Sequence, residues 1–299
     1  MDDYRVLLVD QRGTGRSAPA TRQTLPARGD AAAQANYLSH FRADSIVRDC
    51  EALRRQLLGE GEQRSFLGQS YGGFCAVTYL SFAPQGLRRV LITGGLPGLR
   101  STAEDVYRAA FPRIERKNLG HYPRYPEDIR AVRGIVGHLR SHEVTLPGGG
   151  RLTAEAFQAL GLILGSGNGS HTPHYLIELA FVPGSPAPML SDSFLWEVQQ
   201  HLSFAGNPLY AVLHEAAELL AQREQWPDLY DSRQLAANEV PVVAIYHDEM
   251  YVDTADSLAT ARAIRGLRTW VTDEYAHDGL RVSGGRVLDR LVRLVHGDL

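Results

Sequence analysis

A single serine set among glycines, Gly68-Gln69-Ser70-Tyr71-Gly72-Gly73, has the residue types and spacing best suited to covalent chemistry in this chain. A serine hydroxyl is a weak nucleophile until a base removes its proton, and the base needs an acid to orient and stabilise it. The Gly-x-Ser-x-Gly spacing fits a tight turn that leaves a strand, holds the serine in a strained backbone conformation and enters a helix at once. Bulky flanking side chains would collide with neighbouring backbone, so Gly68 and Gly72 are expected to relieve the crowding. The same turn aims the N–H of Tyr71, at the helix start, toward an oxyanion forming on an attacked carbonyl. The flanks agree: Phe66-Leu67 precede the turn, and Phe74-Cys75-Ala76-Val77-Thr78-Tyr79-Leu80 is a small, apolar run suited to a buried helix.

For a serine on such a turn the partners follow in chain order, acid then histidine, each in a loop after a strand. Of the eleven histidines, His277, in Asp273-Glu274-Tyr275-Ala276-His277-Asp278-Gly279, follows the last predicted strand and precedes the terminal helix. The acid falls in His247-Asp248-Glu249-Met250-Tyr251-Val252-Asp253, which offers three carboxylates. Counting from Pro241, the strand reaches the top of the sheet near 248 or 249, which favours Glu249 over Asp248; chemistry alone does not separate them. The acidic cluster also reads as a solvated turn, with Asp253 or Asp256 capping the next helix. A lone histidine in a loop is more often a surface residue, and the order serine, carboxylate, histidine is what singles out His277. His171-Thr172-Pro173-His174 and the helical pair His138 and His142 lack the glutamate of a zincin pattern; they read as solvated histidines, and no metal ligand is assigned.

The elements that must position these residues alternate. Tyr4-Arg5-Val6-Leu7-Leu8-Val9 reads as a strand buried on both faces of a parallel sheet, followed by the glycine-bearing loop Asp10 to Ser17. That loop is not a dinucleotide fingerprint, because the third glycine falls on Ala18 and Pro19 follows. Pro19 to Asn36 reads as surface excursion. Ile46, Cys50, Leu53 and Leu57 recur at helical spacing, with Asp44 near the start and Gly59 past the end. The elbow strand and helix come next, then a strand at Arg89 to Thr93. This alternation predicts an α/β fold with a mostly parallel, doubly wound sheet. From 101 to about 230 the chain is helical and aromatic, with segments near Asp105 to Asn118, Pro126 to His142, Thr153 to Leu164, Ser191 to Ala205 and Leu209 to Gln225. The expected organisation is therefore a core of residues 1–100 and 231–299 carrying a helical cap of residues 101–230. Sheet character returns at Val240 to Tyr246 and Leu267 to Thr272, with helices near Ser257 to Ile264 and Gly285 to His296.

With 299 residues the chain can bury one large core or a core plus cap, and its net charge of −3 offers no basic field for nucleic acid or anionic lipid. No apolar run approaches the ~20 residues of a membrane span, and the start lacks a signal-peptide pattern. Cytoplasmic location is the expectation, with no membrane partner. Cys50 and Cys75 form neither a metal spacing nor a disulfide framework and read as core fillers.

Asp10-Gln11-Arg12-Gly13-Thr14-Gly15-Arg16-Ser17, together with Gly68 to Gly73, resembles the proline iminopeptidases of the α/β-hydrolase fold, especially their actinobacterial branch. The similarity extends to Ser203-Phe204-Ala205-Gly206-Asn207-Pro208-Leu209-Tyr210 and to Tyr275-Ala276-His277-Asp278-Gly279. It implies release of N-terminal proline from peptides through an acyl-enzyme without metal or cofactor, with Ser70 as nucleophile, His277 as base and Glu249 or Asp248 as acid. It further implies a carboxylate from the cap for the substrate's N-terminal amine, with Glu215 the first candidate and Glu178 the second. In that family a His-Gly-Gly-Pro-Gly-like loop precedes the Tyr-Arg-Val-Leu-Leu strand and completes the oxyanion hole. This chain starts at that strand and has a cap that reads as short between Leu213 and Trp226, so a fragment, a mis-started frame or an impaired remnant that binds peptide is one expectation. An esterase or amidase of the same fold is the other alternative.

Overall fold

The computed structural model describes residues 4–167, 169–202, 204, 207–210, 229–246 and 250–298. Among them are six strands: β1 (Arg64–Gln69), β2 (Leu87–Thr93), β3 (Val144–Thr145), β4 (Arg151–Leu152), β5 (Val242–Tyr246) and β6 (Arg268–Val271). Four of these form one parallel sheet in the order β1-β2-β5-β6, while β3 and β4 make a small antiparallel pair. The helices, in chain order, begin with α1 (Ala31–Ser39), α2 (Ala43–Leu58), α3 (Tyr71–Phe82), α4 (Ala103–His121) and α5 (Asp128–Ser141). They continue with α6 (Ala154–Gln158), α7 (His171–Glu178), α8 (Asp192–Leu202), α9 (Ser232–Ala236), α10 (Thr254–Ala263), α11 (Gly279–Val282) and α12 (Arg286–His296).

Side chains alternate across a strand, and the sheet uses both faces. Val90, Ile92, Val242 and Ala244 enter a core with α2, α3 and the end of α10, including Ile46, Cys50, Cys75, Tyr79 and Ala261. Leu91 and Val243 face the other way onto Val287, Leu291, Leu294 and Val295 of α12. Helices therefore cover both faces of the central strands β2 and β5, as their near-continuous apolar runs require, while the edge strands β1 and β6 are partly exposed. Both cysteines are buried and free.

Between the adjacent strands β2 and β5 runs a long helical crossover. Its described part has its own core, in which Ile135 and Leu139 of α5, Phe157 of α6, Leu176 and Ile177 of α7 and Phe194 and Val198 of α8 pack together. Helix α7 is not among the helical segments expected from the sequence; its Pro173 lies in the first turn, where proline is tolerated. The segment Leu209 to Gln225 lies almost wholly outside the described residues. No described helix is long and apolar enough to cross a membrane.

One expected element is different. Tyr4 to Val9 is neither a strand nor buried: Val6, Leu7 and Leu8 are all more than half exposed, Leu8 by 89%. A strand exists only where a neighbour takes its backbone N–H and C=O groups, and no described strand pairs with this run. Without that pairing its apolar side chains have no sheet face to enter. The stripe expected on α2 is also altered. Ile46 and Cys50 are buried, but Leu57 is exposed and Glu51 and Arg54 are buried in its place.

Candidate active site

Register brings the carboxyl ends of the four strands level. Gln69 pairs with Thr93, Thr93 with Ile245, and Ile245 with Trp270. The chain therefore leaves the sheet at one edge after Gln69, after Thr93, after Tyr246 and after Val271, where open parallel sheets place their ligands.

At the first of these exits Ser70 has φ 54° and ψ −121°, a left-handed conformation shared by only one other non-glycine among the described residues, Ala18. Such a conformation costs about 1–3 kcal/mol and needs support from its surroundings. Support comes from two hydrogen bonds: Ser70 N–H donates to the Thr93 carbonyl at 2.9 Å, and Gly73 N–H donates to the Ser70 carbonyl at 2.7 Å. A Cβ on Gly68 would lie 2.1 Å from the Gly72 carbonyl oxygen, so the strand and helix touch backbone to backbone. A Cβ on Gly72 would meet nothing within 4 Å, so the expected relief comes from Gly68, and from Gly73, which abuts the Gly95 carbonyl and Ile92. Ser70 caps α3, and Tyr71 supplies the first helical N–H, one of the groups that lack an intrahelical acceptor.

His277, at the last exit, reaches the same place. A Cβ on Gly94 (φ +74°) would sit 3.2 Å from His277 Cε1 and 3.2 Å from Ser70 N, so one glycine touches both candidates. The side-chain amide of Gln69 donates to the His277 carbonyl at 3.1 Å, tying the histidine loop to the residue before the serine. The Tyr251 ring packs edge-on against the His277 imidazole with centroids 4.8 Å apart. Its hydroxyl donates to the Leu162 carbonyl at 2.5 Å, and a Cβ on Gly165 would strike the same ring. Next to the histidine, Asp278 accepts from Gly167 N–H at 2.7 Å. The segment after α6 is thus fastened to the His277 loop through Asp278 and to Tyr251, whose ring packs on the imidazole.

Both acid candidates, Asp248 and Glu249, lie outside the described residues, as does Glu215. Of the three carboxylates in that stretch only Asp253 is described, and it caps α10 by accepting from Asp256 N–H at 2.8 Å while paired with Arg113 of α4. Burial acts to raise the Asp253 carboxyl; the Asp256 N–H and the Arg113 guanidinium outweigh it and hold the group below the usual carboxylate range. Glu178 ends α7 and is exposed. The loop Asp10 to Ser17 is built from hydrogen bonds: Arg12 grips Asp49 of α2 through Nε at 2.7 Å, and Asp10 accepts from Arg16 N–H at 2.9 Å. His138 and His142 stack on each other, but His174 is not a solvated side chain, since it hydrogen-bonds buried Asp128. Sequence reasoning passed over Gln69, Gly94, Tyr251 and Asp278. The Gly94-Gly95 pair at a strand's carboxyl end was the one legible signal among them.

A family model described as the alpha/beta hydrolase fold matches residues 2–130. A proline iminopeptidase of Aeromonas sobria is 39% identical, with 98% of this chain aligned to 81% of that protein. A second proline iminopeptidase, from Aspergillus aculeatus, is 31% identical over 97% of this chain and 78% of its own length. Among solved structures, an esterase from Thermogutta terrifontis is similar with a TM-score of 0.50 at 17% identity, covering 96% of this chain and 79% of that one, a likeness of fold.

Proposed function

The chain belongs to the proline iminopeptidase family of the α/β-hydrolase superfamily, and from that membership we propose that it is a serine aminopeptidase releasing proline from the N-terminus of peptides. The observation that carries the reading is the contact at Gly94, which touches both a strained Ser70 and the ring of His277.

In the proposed reaction the Ser70 hydroxyl attacks the carbonyl of the N-terminal proline as His277 takes its proton. The oxyanion of the tetrahedral intermediate accepts from Tyr71 N–H, reinforced by the positive end of α3. Collapse breaks the peptide C–N bond; His277 returns the proton to the leaving amine, and a prolyl ester remains on Ser70. Water, deprotonated by His277, attacks that ester, and the second collapse frees proline and restores the serine. Glu249 or Asp248 orients the imidazole, and Glu215, with Glu178 second, meets the substrate's ammonium group.

Hydrolysis of a prolyl chromogenic amide by the purified protein should fall at least about 10³-fold in Ser70→Ala. Unchanged turnover in that variant would sink the mechanism. A preference for N-blocked prolyl amides or simple esters would favour an esterase or amidase, because a blocked substrate has no ammonium for a carboxylate to hold. Failure of Ser70 to react with a fluorophosphonate probe would favour a peptide-binding remnant.

A further inference from the structure

Where α4 ends and α5 and α7 begin, a second set of ionisable side chains converges on one buried carboxylate. Asp128, the first residue of α5, is 2% exposed. His121 Nε2 stands 2.8 Å from its Oδ2, and His174 Nδ1 stands 3.0 and 3.2 Å from its two oxygens. Glu127 completes the group: one ligand atom each from Glu127, Asp128 and His174 lies within 4.8 Å of the others.

A buried carboxylate needs a compensating charge. Among the described residues only imidazoles lie within ion-pair distance of Asp128. His121 Nδ1 is buried with no described hydrogen-bond partner, so its contact with Asp128 is the one described polar contact of that ring. That contact, Nε2 to Oδ2 at 2.8 Å, fixes the orientation of the carboxylate. The side of Asp128 facing Glu127 and His174 is where the ligand atoms gather and a cation can enter. A nitrogen and an oxygen 3.0 Å apart are slightly closer than the ~3.4 Å between two tetrahedral ligands each about 2.1 Å from one ion, so the ion's entry would open that pair by a few tenths of an ångström. The His174 ring is held for that role by Tyr125, stacked on it at 3.8 Å and 10°. The Tyr125 hydroxyl is in turn hydrogen-bonded to His171 Nδ1 at 2.6 Å.

We propose that Glu127, Asp128 and His174 form a binding site for a divalent transition metal of the Zn²⁺ type, with His121 and Tyr125 orienting the ligands. One imidazole and two carboxylates suit Zn²⁺ better than the all-oxygen shell that Ca²⁺ takes. The exposed side of Glu127 leaves a fourth position to water. The ion would join the start of α5 to α7, so its binding stabilises the helical segment.

The test is titration of the full chain carrying His138→Ala, which breaks up the stacked His138 and His142 pair as a competing zinc binder. Calorimetry with ZnCl₂ should give one equivalent bound, Co²⁺ should give a tetrahedral absorption spectrum, and Zn²⁺ should raise the Tm. Adding Glu127→Gln should weaken binding at least about tenfold, and adding His174→Asn should abolish it. Glu127 makes no side-chain cap and is exposed, so its variant decides the matter even if His174→Asn does not fold. Absence of saturable binding in the His138→Ala protein, or unchanged affinity after Glu127→Gln, would overturn the proposal.

Discussion

A methyl group at Gly94 has two neighbours to displace, and they are the two residues on which the proposed chemistry depends. Gly94→Ala would also force an L-residue to φ +74°, so a Tm loss equivalent to about 1 kcal/mol is expected. The larger effect should be kinetic. Shifting Ser70 and His277 apart by tenths of an ångström should lower kcat at least about tenfold while KM changes little, measured on a prolyl amide. Tyr251→Phe is milder, since it keeps the ring against His277 and loses the hydroxyl bond to Leu162; kcat should fall a few-fold and Tyr251→Ala should fall further. Equal rates for the two Tyr251 variants would show that the ring does not position the imidazole. Ser70 and His277 were legible because a spaced motif and a fixed chain order point to each. Tyr251 was not, because its contribution is nearness to a residue some way off in sequence, which no spacing encodes; the Gly94-Gly95 pair marked a turn at a strand's end but not what that turn touches.

At the scale of elements, α2, α3 and the entry to β1 are joined by a polar knot inside an apolar core. Arg54 makes two 2.9 Å bonds to Glu51, and its Nη1 donates to the carbonyls of Gly59, Glu60 and Glu62, while the Tyr79 hydroxyl donates to Glu51. Periodicity alone assigns Leu57 to the buried face of α2, because an amphipathic pattern cannot show that an ion pair is buried where its charges satisfy a turn. Arg54→Met takes the guanidinium from Glu51 and the donor from three carbonyls and should cost about 3–5 kcal/mol in denaturant melts. Burial acts to raise the Glu51 carboxyl, but hydrogen bonds from Arg54 and Tyr79 hold it below its ordinary range. A carboxylate so lowered contributes stability above its unfolded pKa, and the contribution is lost as pH falls through the folded value. Tm should therefore hold level from neutrality to about pH 4 and then decline, and Glu51→Gln should flatten that decline. An identical acid limb in Glu51→Gln would assign the loss to other carboxylates. On the far side of the site, Gly165→Ala would drive a methyl into the Tyr251 ring and should slow fluorophosphonate labelling of Ser70, though residue 165 belongs to the helical crossover.

For the molecule as a whole, the strand, turn, helix alternation made the sheet legible from β1 onward, and the helical stretch after Pro97 made the crossover legible. The run Tyr4 to Val9 misled because its composition is that of a buried strand, whereas strand formation is decided by a neighbour. Both relatives align over more positions than this chain has residues, 349 and 350 against 299, so at least 50 positions of each alignment have no counterpart here. The strands of the main sheet lie side by side in the order in which they occur in the chain. That order gives biosynthesis a direction. Gln69 and His277, joined by one hydrogen bond, are 208 positions apart, so at 5–20 residues per second the ribosome delivers the serine turn about 10–40 s before the imidazole. On the proposed mechanism a nascent chain of this kind holds its hydroxyl unactivated until the segment after β6 has docked, so a cell would meet the proposed chemistry only on chains whose last described strand has already been made.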